Sequence, residues 1–411
     1  MGERIESRRN GNGAADEKHT RVLEFTKWTS FGNTFVLLDE SKGPALSEVE
    51  KSRFAFQATN ASFGVGSDNF LVIQPCTTSV LRSINRARGY WQALPDTSQA
   101  DLVFRMFEPD GEEAFSCGNG LMAIAAYLRQ CHGVSSARVL TEVPFASPRA
   151  VEIGTHAVEG WSWASLGAPR RVPEEIVSAT LRAPYNDHMD RLQKLTIPFR
   201  RHDLSPYIES VALDIWGYLV FTGEPHLVVF PEEVFPSEEL VQTVFAGEGS
   251  NVRAEFGSRL VHRIGWAINN ELPELVPRGL NVNFARVTSD GGAVEYRCFE
   301  RGIYRETLAC GTGALAVAYV CRALGIWEGE SCELRPYGCR RYDPTATIGV
   351  HQDRDSWVLS GRPKALFRGV FPWDMSTALH LETSKGRRQH RQEGFLGGGD
   401  AGVRRGRRSG S

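Results

Sequence analysis

Between residues 22 and 374 apolar positions recur in short runs with the two-residue period of half-buried strands. The runs RVLEFTKWTS and FVLLDE flank a turn at FGN, and DNFLVIQP, DLVFRMFEP and ARVLTEV follow. Further strands are expected in AVEIGTHAVEGWSWASLG, GYLVFTGEPHLVVF, LNVNFARVT, AVEYRCFERG, CELRPYG, ATIGVH and SWVLSG. Helical patterning is confined to NGLMAIAAYLRQC, SRLVHRIGWAINNEL and TGALAVAYVCRALG. Residues 76–100, 170–210 and 240–278 read as insertions. Many strands with few long helices point to an α+β chain whose sheets wrap around buried helices. Two of the helices, LMAIAAYL and ALAVAYVCRAL, are apolar nearly all round, the pattern of a helix inside a domain rather than on it. Each is entered through Cys-Gly-Asn/Thr-Gly after a strand and an acidic turn, so the chain carries a weak internal repeat.

Composition narrows the function. A formal net charge of −2 exerts no global pull on nucleic acid or an anionic membrane. No run reaches the ~18 apolar residues of a membrane helix, and the N-terminus lacks the apolar stretch of a secretory signal. Residues 1–21 and 383–411 are polar tails expected to be disordered; the second is rich in Arg and Gly, the chain's single feature suited to RNA. The eight cysteines form no CxxC pair and no zinc-finger spacing, so a cytoplasmic protein with reduced thiols and no metal site is expected. No phosphate-binding P-loop or dinucleotide fingerprint is present, and no cofactor is expected.

The paired Cys-Gly-x-Gly turns carry the chemistry. A helix N-terminus offers unpaired N–H groups and a partial positive charge, which suit a carboxylate and lower the pKa of a thiol from roughly 8.5 toward neutrality. If a pseudo-twofold brings the two N-termini together, Cys117 and Cys310 face each other across one bound carboxylate. That suits inversion of an α-carbon. One thiolate takes the proton from one face, the other thiol returns one to the opposite face, and the N–H groups stabilise the carbanionic intermediate.

With these motifs in place, the chain resembles the diaminopimelate epimerases, cofactor-independent two-cysteine racemases and epimerases, along most of residues 24–372. WTSFGNTFVLLDE, SFGVGSDNFLVI, FEPDGEEAFSCGNG, GEPHLVVF, GLNVNFARV, FERG, ETLACGTGALA and LSGRPKALFRGVF follow that family's motif order. The resemblance implies two pseudo-symmetric halves, each a β-sheet wrapped around a central helix, with the active site in the cleft between them. The first half would span 22–163 with a last strand at 363–374, and the second 164–362. It implies a homodimer acting on an amino acid. Cys117 and Cys310 become the proton-transfer pair. Gly118, Asn119, Gly311 and Thr312 become the α-carboxylate cradle. His226 and Glu300 lie at the reacting centre, binding the α-amino group or tuning the thiols. Asn33, Asn281 and Arg301 hold the far end of the substrate.

Three positions depart from the family pattern. Glu108 and Glu224 stand where the family has Asn, and ERGIYRET is one residue longer than its turn and lacks a glycine. A carboxylate repels the distal carboxylate of diaminopimelate and attracts a cation, which points to a basic amino acid as substrate. An ion pair of either Glu with Arg301 leaves diaminopimelate open. A carboxylate-base isomerase of the phenazine-biosynthesis type, a catalytically silent binding relative, and a protein stabilised by a Cys117–Cys310 disulfide are the competing readings. The other six cysteines and nine histidines, with Asp68 and Asp110, read as core, turn or solvated residues. Glu306 is expected to support the turn into Cys310.

Overall fold

The computed structural model describes residues 20–158, 160–199, 212–246, 251–376 and 378. Apart from Thr20 and Arg21, which opens the first strand, the two expected tails lie outside the described residues.

The same sequence of strand directions occurs twice. In the first half Arg21–Ser30 pairs antiparallel with Asn33–Asp39, which runs parallel to Asn69–Pro75; that strand pairs antiparallel with Leu102–Phe107. Leu102–Phe107 then accepts Ser136–Thr141 in parallel, followed antiparallel by Arg149–Thr155 and Ser162–Ser165. In the second half Ala212–Phe221, Pro225–Val229, Asn281–Val287, Val294–Glu300, Ser331–Pro336, Ile348–Asp353 and Ser356–Gly361 repeat that order and those directions. Ser162–Ser165 pairs with Ser356–Gly361 and joins the halves into one sheet system. The last strand, Lys364–Trp373, returns to pair with Arg21–Ser30. The α+β architecture of two pseudo-symmetric halves is therefore present.

Each half wraps its sheet around one helix. Gly118–His132 and Gly311–Ala323 are buried along most of their length, because small and branched apolar residues occupy every face. The first helix ends at Gly133, whose φ of 70° closes the turn in the left-handed region. The third expected helix is also present, as Asn251–Asn270.

Both hairpins leading to a Cys-Gly-x-Gly turn are held by the same buried pair. Arg105 donates through Nε and Nη2 to both carboxylate oxygens of Glu113, at 2.7 and 2.6 Å. Arg297 grips Glu306 in the same bidentate way, which gives Glu306 its expected supporting role.

Besides the short helices Pro231–Val234 and Glu238–Val244, two longer ones lie where the patterning predicts loop or insertion. Glu48–Ala58 crosses between the first two parallel strands, and its start was legible: Ser47 and Glu50 form a reciprocal capping box. Thr78–Arg88 begins at Thr77, which accepts from Val80 N, and ends at Gly89. The expected insertion at 170–210 contains the strands Arg182–Pro184 and Asp190–Pro198, which extend the second half beside Ala212–Phe221.

Candidate active site

The two cysteine turns meet in the centre of the molecule. Cys117 and Cys310 are the N-caps of the central helices, each sulfur accepting from the backbone N–H three residues on: Gly120 N at 3.3 Å and Gly313 N at 3.4 Å. The helices abut at their first glycines. A Cβ on Gly311 would fall 2.9 Å from Asn119 N, and one on Gly118 would fall 3.2 Å from Thr312 N. Asn119 crosses the seam and donates to Ala309 O at 3.0 Å. Only glycine allows this approach, so two helix N-termini, with their N–H groups and partial positive charge, converge on one small cavity.

That cavity is narrow: the centre of a water-sized sphere can occupy only about 20 Å³ of it. Asn33, Glu108, Cys117, Asn119, Glu224, Asn281, Glu300, Arg301, Cys310, Gly311 and Thr312 line it, together with Met106, Ser116 and Ala309. Eleven of the thirteen sequence-derived site residues thus share one wall. Gly118 lies at the helix seam just behind it. His226 differs: it is fully buried behind Thr312, to which its Nε2 is hydrogen-bonded at 3.0 Å, and it does not reach the cavity. Its side chain is separated from the cavity by Thr312.

The thiol expectation needs a correction. Burial pushes the Cys117 thiol well above its ordinary range, and Glu300, Cys310 and Glu108 add to the shift; the Gly120 N–H opposes it without prevailing. A helix N-terminus lowers a thiol pKa where the sulfur stays solvated; here desolvation is the larger effect. Burial also lifts Glu300 to about 7, although Thr307 Oγ1 donates to it. His226 is lowered to about 3 by burial and by the positive charge of Arg301, so its ring stays neutral.

The distal wall holds the positions that depart from the diaminopimelate epimerase pattern the sequence resembles. Arg301 donates through Nε and Nη2 to Glu224 Oε2 at 2.9 and 2.5 Å, and Glu224 Oε1 accepts from Phe115 N and Ser116 N. Burial alone would weaken the Arg301 charge, but Glu224 and Glu108 outweigh it. Glu108 Oε2 accepts from Asn69 Nδ2 at 2.8 Å. Burial lifts Glu108 well above the usual carboxylate range, and Arg301 only partly offsets this. Asn281 uses its Oδ1 to hold Arg301 N at 2.9 Å.

Sequence reading missed several supporting residues. Tyr296 donates to Cys310 O and accepts from Cys310 N, fixing the second turn. Asn283 holds His226, and Thr222 donates to Thr312 O at 2.8 Å. Cys298 was assigned to the core; it is buried, but with Glu300 and Cys310 it forms a group whose ligand atoms lie within 4.8 Å of one another. Cys298 and Glu300 sit two apart on one strand and so share a face, the signal that would have found the third sulfur. Among the described residues no helix is long and apolar enough to cross a membrane.

No family model matches the chain. It is 29% identical to the diaminopimelate epimerase of Archaeoglobus fulgidus over 362 residues, covering 85% of this chain and 96% of that one. It is 28% identical to the diaminopimelate epimerase of Methanothrix thermoacetophila, covering 77% and 86%. Among solved structures, a hydroxyproline epimerase from Agrobacterium vitis superposes with a TM-score of 0.52 at 13% identity, covering 87% of this chain and 94% of that one. A probable proline racemase from Agrobacterium radiobacter gives 0.50 at 12% identity, covering 86% and 93%. These two likenesses concern the fold.

Proposed function

For a chain that is an isomerase similar to the diaminopimelate epimerases along most of its length, we propose inversion of the α-carbon of a free amino acid by two-thiol proton transfer. The observation that carries this reading is the convergence of the two cysteine-capped helix N-termini on one cavity. Cys117 and Cys310 both line that cavity. The N–H groups at Gly118, Asn119, Gly311 and Thr312 supply a preorganised cradle for the α-carboxylate and for the charge that grows on it during deprotonation. No step of this scheme calls on a cofactor.

At the far end, Arg301 is already neutralised by Glu224, so it is not free to clamp a second carboxylate. Glu108 adds a further carboxyl group, hydrogen-bonded to Asn69; burial favours its protonated form, and a cationic side chain beside it favours the ionised one. The Glu224–Arg301 pair is the arrangement that leaves diaminopimelate open; the further carboxyl of Glu108 is what favours a cationic side chain, such as lysine, ornithine, arginine or histidine.

The test is α-proton exchange into deuterated water, under reducing conditions, with a panel of L-amino acids that includes LL-diaminopimelate. Exchange and racemisation of a basic amino acid, lost in Cys117→Ala, is the expected result. Diaminopimelate turning over at least as well as every basic amino acid would overturn the substrate assignment. Absence of exchange with every member would overturn the activity.

A further inference from the structure

The two halves repeat each other in backbone but not in what lies behind each thiol. The strand registers make the comparison direct. Phe35 pairs with Asn69 in the first half, and His226 pairs with Asn281 in the second. Two residues further along the partner strands stand Leu71 and Asn283, and two residues past each cysteine stand Asn119 and Thr312. Behind Cys117 the first half therefore has Phe35, Leu71 and Asn119, whose amide nitrogen is spent on Ala309 O. Behind Cys310 the second half has His226, Asn283 and Thr312.

The polar set has a direction. Asn283 Nδ2 lies 3.0 Å from His226 Nδ1 and 3.3 Å from Leu227 O. The carbonyl of Leu227 can only accept, which makes the Asn283 atom facing it the amide nitrogen and leaves His226 Nδ1 as acceptor. The ring proton then sits on Nε2, which donates to Thr312 Oγ1 at 3.0 Å. The Thr312 hydroxyl proton is left to point at Cys310 Sγ, 3.5 Å away. Gly313 makes room for this arrangement, since a Cβ there would fall 2.6 Å from Asn283 Oδ1.

Resting on the two-thiol reading above, we propose that Asn283 and His226 act through Thr312 as a directed hydrogen-bond relay that holds Cys310, and not Cys117, as the thiolate of the resting enzyme. Cys310 then accepts from both the Thr312 hydroxyl and the Gly313 N–H. Cys117 accepts from Gly120 N, and the side chain two residues on, Asn119, is turned away to Ala309 O. The other ionisable groups facing Cys310 are Cys298 and Glu300 on the Val294–Glu300 strand, Tyr296 on the same strand and Cys117 on the opposite helix. None of them is a cation, so charge there is favoured by hydrogen-bond donors: those of the relay, and the Cys298 thiol bonded to Cys310. Arg301 is the cation whose field reaches His226, and it helps keep the ring neutral. Asn283 and His226 are positioning residues in this scheme. Cys310 takes the first proton and Cys117 gives one back, so the substrate enantiomer that presents its α-hydrogen to Cys310 is the one the resting enzyme accepts.

Two measurements test the relay without turnover, so they stand or fall apart from the activity itself. The first is ¹⁵N NMR of histidine-labelled protein, with His226 assigned by its loss in His226→Gln. A neutral ring protonated at Nε2 is expected; protonation at Nδ1 overturns the proposal. The second is alkylation by iodoacetamide at pH 7, read peptide by peptide. Cys310 is expected to react before Cys117, although Cys310 is only 5% exposed and Cys117 is the more open residue. Thr312→Val is expected to slow Cys310 about tenfold or more, the weight of roughly one hydrogen bond to a charged group, while Thr312→Ser keeps the wild-type rate. Cys117 reacting first, or a Cys310 rate unchanged in Thr312→Val, overturns it.

Discussion

At the scale of single residues, burial decides the electrostatics of this site more than local charge does. Glu300 illustrates it: its carboxyl is lifted from 4.5 to about 7 by desolvation, against a hydrogen bond from Thr307. Between those two values the native protein keeps a proton that the unfolded chain has released. Stability tied to Glu300 is therefore fully present below pH 4.5 and is lost as pH rises through 7. Glu300→Gln removes the titration with little change of shape. Its melting temperature relative to wild type is expected to rise from pH 4.5 to pH 8, and thermal denaturation across that range checks it. A difference that stays flat with pH would show that Glu300 is solvated in the native state. The identity of the residue was readable from the FERG motif; its protonation was not, because desolvation depends on which walls close around a side chain. The same holds for Cys117, where the helix N-terminus was legible and the burial that outweighs it was not. His226 was read to the right neighbourhood, but Thr312 stands between it and the cavity.

At the scale of elements, the two central helices were legible because each is apolar on every face and opens on the same four-residue turn. Their mutual approach was legible only in part: the glycines mark close packing, but what packs against them is 193 positions away for the Gly118–Gly311 pair. The Glu48–Ala58 helix went unread despite its capping box, since only Phe54, Ala55 and Ala58 supply its apolar buried stripe. The helix seam yields a prediction. In Gly311→Ala the added methyl meets Asn119 N and Oδ1 at 2.9 Å and Gly118 C at 3.1 Å, mostly rigid backbone. The N-termini must part by several tenths of an ångström, and the thiols and cradle move with them. Activity is expected to fall about a hundredfold, as small displacements of a preorganised site do. Denaturant unfolding should show a destabilisation of about 1–3 kcal/mol, the range for overpacking. Full activity in Gly311→Ala would mean that the seam does not set the spacing of the two sulfurs.

At the scale of the whole molecule, the repeat supplies two cysteine-capped turns, while the positions that line the cavity around them repeat only in part. Asn33 opens the Asn33–Asp39 strand, and Glu224 immediately precedes the matching Pro225–Val229 strand; Glu108 and Glu300 follow matching Phe107 and Phe299. The distal wall is thus built from paired positions: Asn33 and Glu224, where the repeat differs, and Glu108 and Glu300, where both members are carboxyl groups. Glu224 does two things at once: Oε1 accepts from Phe115 N and Ser116 N, and Oε2 neutralises Arg301. Glu224→Gln preserves the first role, because the amide oxygen still accepts, and abolishes the second, because the amide nitrogen cannot pair with a guanidinium. Combined with Glu108→Gln it leaves Arg301 as the free charge of the distal wall. A distal carboxylate then meets a cation where it met an ion pair and a second acid. The ratio of LL-diaminopimelate to basic amino-acid turnover is expected to rise about tenfold or more in the double variant, the scale of one charge-assisted hydrogen bond. Exchange rates in deuterated water for wild type and variant, on lysine and on diaminopimelate, supply the comparison. A ratio that does not move would place recognition of the far end outside the Glu108–Glu224–Arg301 group, and with it the substrate choice would rest on the length of the cavity and not on its charge.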